Sequence, residues 1–305
     1  MIRNRSGVLI ASLFFCFLLV LLLMFGDVVS SAAAEALRLS VSRVLPPLFP
    51  FMVLSSLIVS LNLFEPFERF IPARWFRLPD CAGSVLLLGL VCGFPVGAAS
   101  ACRLCEEGRI GRKEAGLLVA LSSAPSPAFL IGVVGALWHS RVFGVFLWAA
   151  EVILTLLCGL LFRPRGGSFS GERTKTEPLP RKSVGGELCR SIAGAAAGCL
   201  NVTAYLVFFR IAGALGTLLI PPLSPLFFAL FEFSSGCAEG ARIGGIAGGF
   251  LTGFSAGFGG LSVFLQLTAY TEPSGVPFSD TLRAAAFRGL GLGMGAAAFR
   301  FFAGL

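Results

Sequence analysis

The stretch Cys81–Ala101 constrains this chain more than any other. It carries no charge and is long enough to cross a bilayer. Gly93-Phe94-Pro95-Val96-Gly97 interrupts it. Pro95 removes a backbone donor and clashes one turn back, and the two glycines permit turn dihedrals. Both flanks are basic: Arg69, Arg74 and Arg77 come before, and Arg103, Arg109, Arg112 and Lys113 come after. Basic flanks favour the cytoplasmic side. The stretch therefore reads as a re-entrant hairpin that turns at Phe94-Pro95 and leaves on the side from which it came. A single kinked membrane helix is the alternative. The difference matters, because non-helical backbone at membrane depth survives only against protein or a water-filled cavity. Broken segments are also where transporters bind their cargo.

The rest of the composition agrees with a membrane chain. Its 305 residues are 56% hydrophobic and 13% charged, with a mean hydropathy of +0.87. Several uncharged runs approach the ~20 residues that span a bilayer. This predicts an all-α, multi-pass protein of the cell membrane whose first partner is the lipid bilayer. The net charge of +8 reads as a topology signal, since no basic stripe with interleaved aromatics suggests a nucleic-acid surface. Nine cysteines are spread along mostly apolar segments, where cysteine acts as a small hydrophobe. Cys102-Arg-Leu-Cys105 stands without a second pair, and the single His139 cannot complete a zinc set. No phosphate loop is present, and no nucleophile and base pair can be assembled. The chain reads as a non-enzyme with no metal and no cofactor.

Arg3 and Arg5 precede the run Val8–Phe25, a first membrane helix with a cytoplasmic N-terminus. A cleaved signal peptide is the rival reading, given Ala32-Ala33-Ala34, but the run is longer than such segments usually are. Asp27–Arg43 is amphipathic and is expected to lie along the interface. Residues 1–43 thus form an anchor and an interfacial helix. Val44–Phe64 is a second membrane helix whose start is made irregular by Pro46, Pro47 and Pro50. A polar, aromatic linker, Glu65–Asp80, leads into the hairpin. Glu114–Trp138 runs outward through Ser122-Ser123-Ala124-Pro125-Ser126-Pro127. Two prolines there predict either a break at mid-membrane depth or a simple kink whose freed carbonyls the serines cover. Val142–Phe162 returns with Glu151 at its middle, an ionisable residue at functional depth. A structural ion pair with Arg210 is the alternative role.

Residues 163–190, rich in Gly, Ser, Pro, Lys and Arg, read as a cytoplasmic linker. The second half then repeats the plan. Ser191–Leu219 runs outward with Arg210. Leu226–Phe231 is too short to cross, Glu232-Phe-Ser-Ser-Gly236 breaks it, and Cys237–Arg242 with Glu239 closes a second hairpin. Ile243–Tyr270 runs inward and is interrupted at Gly257–Ser262. Its glycines at 245, 249, 253 and 257 have the spacing that lets another helix pack closely. Thr271–Arg288 is expected as an inner loop and Gly289–Phe302 as a final helix. Most of the 24 Lys and Arg residues fall on segments read as cytoplasmic; Arg38, Arg43, Arg141, Arg210, Arg242 and Arg300 do not. Residues 44–162 and 191–305 each read as helix, re-entrant hairpin, broken helix, helix, in opposite orientation. Such inverted repeats are the plan of many secondary transporters.

Four motifs carry a family resemblance: GFPVGA (93–98), SSAPSPAFLIGVVG (122–135), FEFSSG (231–236) and GFGGLSVFLQL (257–267). They resemble the YlbJ-type sporulation integral membrane proteins, of the stage V sporulation protein V kind, within the nucleoside-recognition or Gate domain group. That group includes spore maturation proteins and the membrane part of ferrous iron transporters, and is related to concentrative nucleoside transporters. The resemblance spans roughly residues 35 to 304. It implies an inverted repeat like the nucleoside-transporter core. It also implies a role in endospore formation, with movement of dipicolinic acid into the spore across the outer forespore membrane. One half of the implied substrate site is Gly93, Phe94, Pro95, Gly97, Ser122, Ser123 and Ser126. The other half is Glu232, Ser234, Ser235, Ser262 and Gln266. Ser122 and Ser123 stand where the family carries asparagines, and Phe264 stands where histidine is frequent.

Three functions remain. The first is a transporter of a small polar organic solute, for which Arg210, hydroxyls and half-helix N-termini would receive carboxylates; Glu232 and Glu239 must then be protonated or hold a coupling cation. The second is a nucleoside or ion transporter of the same architecture; a homo-oligomer is a candidate assembly for both. The third is a sporulation membrane scaffold, against which the two breaks and the intramembrane Glu151, Arg210 and Glu232 argue.

Overall fold

The computed structural model describes residues 5–61, 63, 73–163 and 183–303. Most of the expected linkers at 65–80 and 163–190 lie outside the described residues. The described chain is helical and has no strand. Helix α1 (Arg5–Met24) meets α2 (Gly26–Leu39), and the apolar part of α1 is bent by 92° against the helical segment from Gly26 to Val44. A π-helical turn, Ser40–Val44, joins α2 to α3 (Leu45–Ser60). The prolines do not spoil the start of α3. Pro46 and Pro47 fall directly after the π-helical turn, at the start of α3, and Pro50 sits inside the helix.

A helical hairpin follows: α4 (Ala82–Cys92) and α5 (Val96–Glu106). Helix α6 (Arg112–Ser122) leads to the first break, and α7 (Ala128–Leu137) continues beyond it, most of it with π-helical spacing. Helix α8 (Arg141–Leu161) closes this half. The second half opens with α9 (Val184–Leu219), whose first turns take residues expected in the linker. A second hairpin, α10 (Ser224–Phe231) and α11 (Phe233–Ile243), comes next. Then come α12 (Gly245–Phe258), α13 (Gly260–Thr271) and α14 (Ser279–Phe302). Both halves thus present the same order: a helix, two short helices in a hairpin, two half-helices across a break, and a long helix.

Three of these segments are long and apolar enough to cross a membrane: Arg141–Leu161, Val184–Leu219 and Gly245–Thr271, the last being α12 with α13. The bent pair of α1 and α2 makes a fourth if it is counted as one span. Large apolar side chains stay exposed on α1 (Leu9, Leu13, Phe17, Leu23), α8 (Val142, Ile153, Leu161) and α9 (Leu200, Phe208). Apolar area this extensive marks a surface that water does not face.

The tightest packing joins α12 to α14. A Cβ at Gly257 would lie 2.6 Å from the Arg288 carbonyl oxygen, and one at Gly249 would lie 2.7 Å from Arg300 Cγ. Gly253 backs in the same way onto Leu292. From the other side, a Cβ at Gly289 would meet Phe258 Cβ at 2.9 Å. The four-residue glycine spacing therefore has the use expected of it: two backbones approach without side chains between them. Elsewhere α9 packs on α2 and α3, where Ser40 Oγ and Thr203 Oγ1 share a buried hydrogen bond of 2.6 Å.

The region expected as a loop from Thr271 to Arg288 is corrected. Only residues 272–278 lie between α13 and α14. Asp280 occupies the first turn of α14, where a carboxylate favours the helix dipole. Arg288 therefore stands more than two turns inside a helix, and it is 2% exposed.

Candidate functional site

At the first hairpin, Gly93 adopts φ 72°, a value that glycine takes without cost, and ends α4. Phe94 N–H donates to the Ala124 carbonyl at 3.1 Å. A Cβ on Gly93 would lie 2.8 Å from both Ala124 O and Ser126 N. Gly89 and Gly97, on the two arms, both back onto Ser122. The hairpin tip thus rests directly on the first break. Pro95 is the residue before α5, at the elbow.

Within that break the serines serve their own backbone. Ser122 Oγ donates to Leu118 O at 2.7 Å and Ser123 Oγ to Val119 O at 2.5 Å. Ser126 Oγ accepts from Phe129 N–H at 3.3 Å. Ser122 and Ser123 thus close on carbonyls one turn back in α6, and all three hydroxyls are engaged by their own segment.

The second tip is built on Glu232. It is 2% exposed and precedes α11 as its N-terminal cap. Its carboxylate accepts from Ser234 N–H at 3.0 Å, Ser235 N–H at 2.6 Å and Ser234 Oγ at 2.7 Å. A helix N-terminus favours an anion, and two backbone amides with a hydroxyl satisfy it. Glu239 lies about two turns further along α11 and pairs with Arg242 at 2.6 Å, well away from the tip.

The second break follows the same rule as the first. Gly259 and Gly260 have φ 84° and 76°. A Cβ on Gly260 would lie 3.0 Å from Leu230 O and 3.3 Å from Phe231 O, at the end of α10. This break therefore rests on the second hairpin, as the first rests on the first. Ser262 and Gln266 on α13 are buried. Phe264 packs edge-on against Phe258 and Phe278.

Three aromatic rings join the two halves. Phe233, next to Glu232, lies 5.1 Å edge-on from Phe94 and 4.7 Å from Phe129. Both tips and the start of α7 therefore meet at one point, and α13 packs on α5 nearby. Ser235 Oγ on α11 and Ser262 Oγ on α13, two residues past the second break, are buried without a hydrogen-bond partner among the described residues. Buried hydroxyls are nearly always bonded, so these two hydroxyls are available to a polar guest. Phe129 and Phe233 lie inside the quoted motifs, but single aromatic residues in apolar runs carry no signal of their own.

Glu151 does not pair with Arg210, the partner named above in the alternative reading. Arg210 turns toward α2 and pairs with Glu35 at 2.8 Å, its guanidinium 4.5 Å over the Phe228 ring. Glu151 instead faces Arg288 from α14, with Nε 3.5 Å from Oε1. Arg288 also donates to Ala120 O at 3.3 Å and Ser123 O at 2.8 Å, at the end of α6. Sequence reasoning missed Arg288 because Pro273, Gly275 and Pro277 extend the look of a loop past its true end. Ser279-Asp280 was the available signal that a helix begins there.

No family model matches the chain, and no solved structure does. The chain is 30% identical over 187 residues to the sporulation integral membrane protein YlbJ of Bacillus subtilis (strain 168). The match takes in 58% of this chain and 45% of that protein, so the chain matches less than half of its relative's length.

Proposed function

We propose that the protein is an integral membrane transporter of a small polar organic solute, with dipicolinic acid in endospore formation as its cargo. One observation carries the reading: two hairpin tips and two helix breaks converge at Phe94, Phe129 and Phe233, with Glu232, Ser235 and Ser262 buried around them. A scaffold has no need for paired breaks at a common centre. The aromatic rings suit a planar ring, and the unpartnered hydroxyls of Ser235 and Ser262 suit its carboxylates. The sporulation name of the Bacillus relative supports the biological setting. In this reading the two halves are inverted Gate-like repeats, the hairpins are re-entrant and the N-terminus is cytoplasmic.

A nucleoside or ion transporter is the second reading, favoured by one observation. Glu232 with its serines presents acidic and hydroxyl groups of the kind that hold ribose hydroxyls or sodium. Uptake of labelled dipicolinate into proteoliposomes, with uridine as competitor, separates the two. Saturable uptake indifferent to uridine is the expected result. Uptake blocked by uridine moves the site to nucleosides. No uptake of either by folded protein sinks the transport reading.

A further inference from the structure

A second group of buried polar atoms lies between α8, α14 and the end of α6. Glu151 is 1% exposed, and neither of its oxygens accepts a hydrogen bond from the described residues. Arg288 Nε faces it at 3.5 Å without donating. Thr155 Oγ1, one turn along α8, and Thr281 Oγ1, two turns before Arg288, are also buried without partners among the described residues. The other end of the guanidinium is committed to Ala120 O and Ser123 O. Those carbonyls end α6, the negative pole of that helix. Ser123 also opens the break on which Gly93 and Phe94 rest. Arg288 therefore links a buried acid to the broken helix beneath the first hairpin tip.

The charges here balance only in pairs. Ionised Glu151 neutralises Arg288. Neutral Glu151 leaves a buried cation held by carbonyl dipoles alone, an expensive state in a low dielectric. An anion arriving beside the break relieves that cost. We propose that Glu151 is the proton-coupling site of transport: a proton taken up by its carboxylate frees the Arg288 charge to be neutralised by one carboxylate of the solute. The proton adds to a Glu151 oxygen and leaves when the solute departs and Glu151 reclaims Arg288. One proton then crosses with each solute molecule bound in this way. The titratable groups in this space are Arg288 from α14 and Cys158, two turns along α8, while α6 supplies the Ala120 carbonyl. The inference deepens the anionic-solute reading and rests on it.

The test is dipicolinate uptake by wild-type proteoliposomes with the membrane potential clamped. An inward gradient of one pH unit should sustain about tenfold accumulation if one proton accompanies each solute. Adding dipicolinate without a gradient should drive protons inward, read by a trapped pH dye. E151Q should still exchange labelled for unlabelled dipicolinate but lose both proton responses. Saturable uptake by the wild type that ignores the gradient and moves no protons overturns this inference and leaves the transport reading standing. Retention of both responses in E151Q overturns it as well. No saturable uptake by folded wild type defeats the transport reading, and this one with it. The wild-type dye measurement decides the matter even if E151Q fails to fold.

Discussion

Two of the buried glutamates, Glu151 and Glu232, are about equally hidden from solvent and are held in opposite ways. Glu232 is satisfied by its own segment: two amides and a hydroxyl from the next three residues cradle its carboxylate. Glu151 receives nothing from its own helix and depends on Arg288, which arrives from another element. A locally capped carboxylate keeps its partners through any motion that keeps the helix end intact. A carboxylate held by one distant cation changes its circumstances whenever the two helices shift. The first arrangement suits a fixed dipole at a binding centre. The second suits an element that exchanges partners.

The sharpest way to break this contrast is to remove the distant cation. Arg288→Gln leaves Glu151 buried and unpaired and removes two bonds to the end of α6. Loss of one partner of a buried pair costs about 3–5 kcal/mol, so the variant should melt far below the wild type in detergent. The double variant E151Q with R288Q should recover much of that loss. If the two single losses simply add in a double-mutant cycle, Glu151 and Arg288 are not an interacting pair.

A smaller effect is expected at the locally held acid. Glu232→Gln keeps the shape and removes the charge from the cap. An N-cap of this kind contributes about 0.5–2 kcal/mol, so the protein should still accumulate at wild-type level in the membrane. Transport should be abolished. Full transport by that variant would remove Glu232 from the site, whatever its melting temperature does.

The fold was partly legible because punctuation in this chain is strong. Gly93, Pro95, Glu232, Gly259 and Gly260 stand out in apolar runs, and each marks a real turn or break. The glycines of α12 announced a close helix contact, and α14 makes it. What stayed hidden were partners. Any arginine could have faced Glu151, and nothing local distinguishes Arg210 from Arg288. The choice is made by which face α9 and α14 turn inward, and that depends on packing across the whole molecule. The serines of the first break were hidden differently. Their number suggests a polar site, yet two of the hydroxyls close on carbonyls one turn back, a bond that spacing alone cannot separate from readiness for a ligand.

The smallest expected effect tests how local the Glu232 cradle is. Ser234→Ala removes one hydroxyl bond at 2.7 Å and leaves both amides in place. One hydrogen bond to a charged group contributes about 1.5–3 kcal/mol when it is irreplaceable. Two remaining donors should hold the loss near or below the lower end. Ser235→Ala offers the matched comparison, because Ser235 Oγ has no partner to lose. Its effect on melting should be close to nil, while its effect on dipicolinate uptake should exceed that of Ser234→Ala. Equal losses of stability in the two variants would mean that Ser235 is not free in the membrane-embedded protein. The contrast between a self-sufficient Glu232 and an open site beside it would then fail.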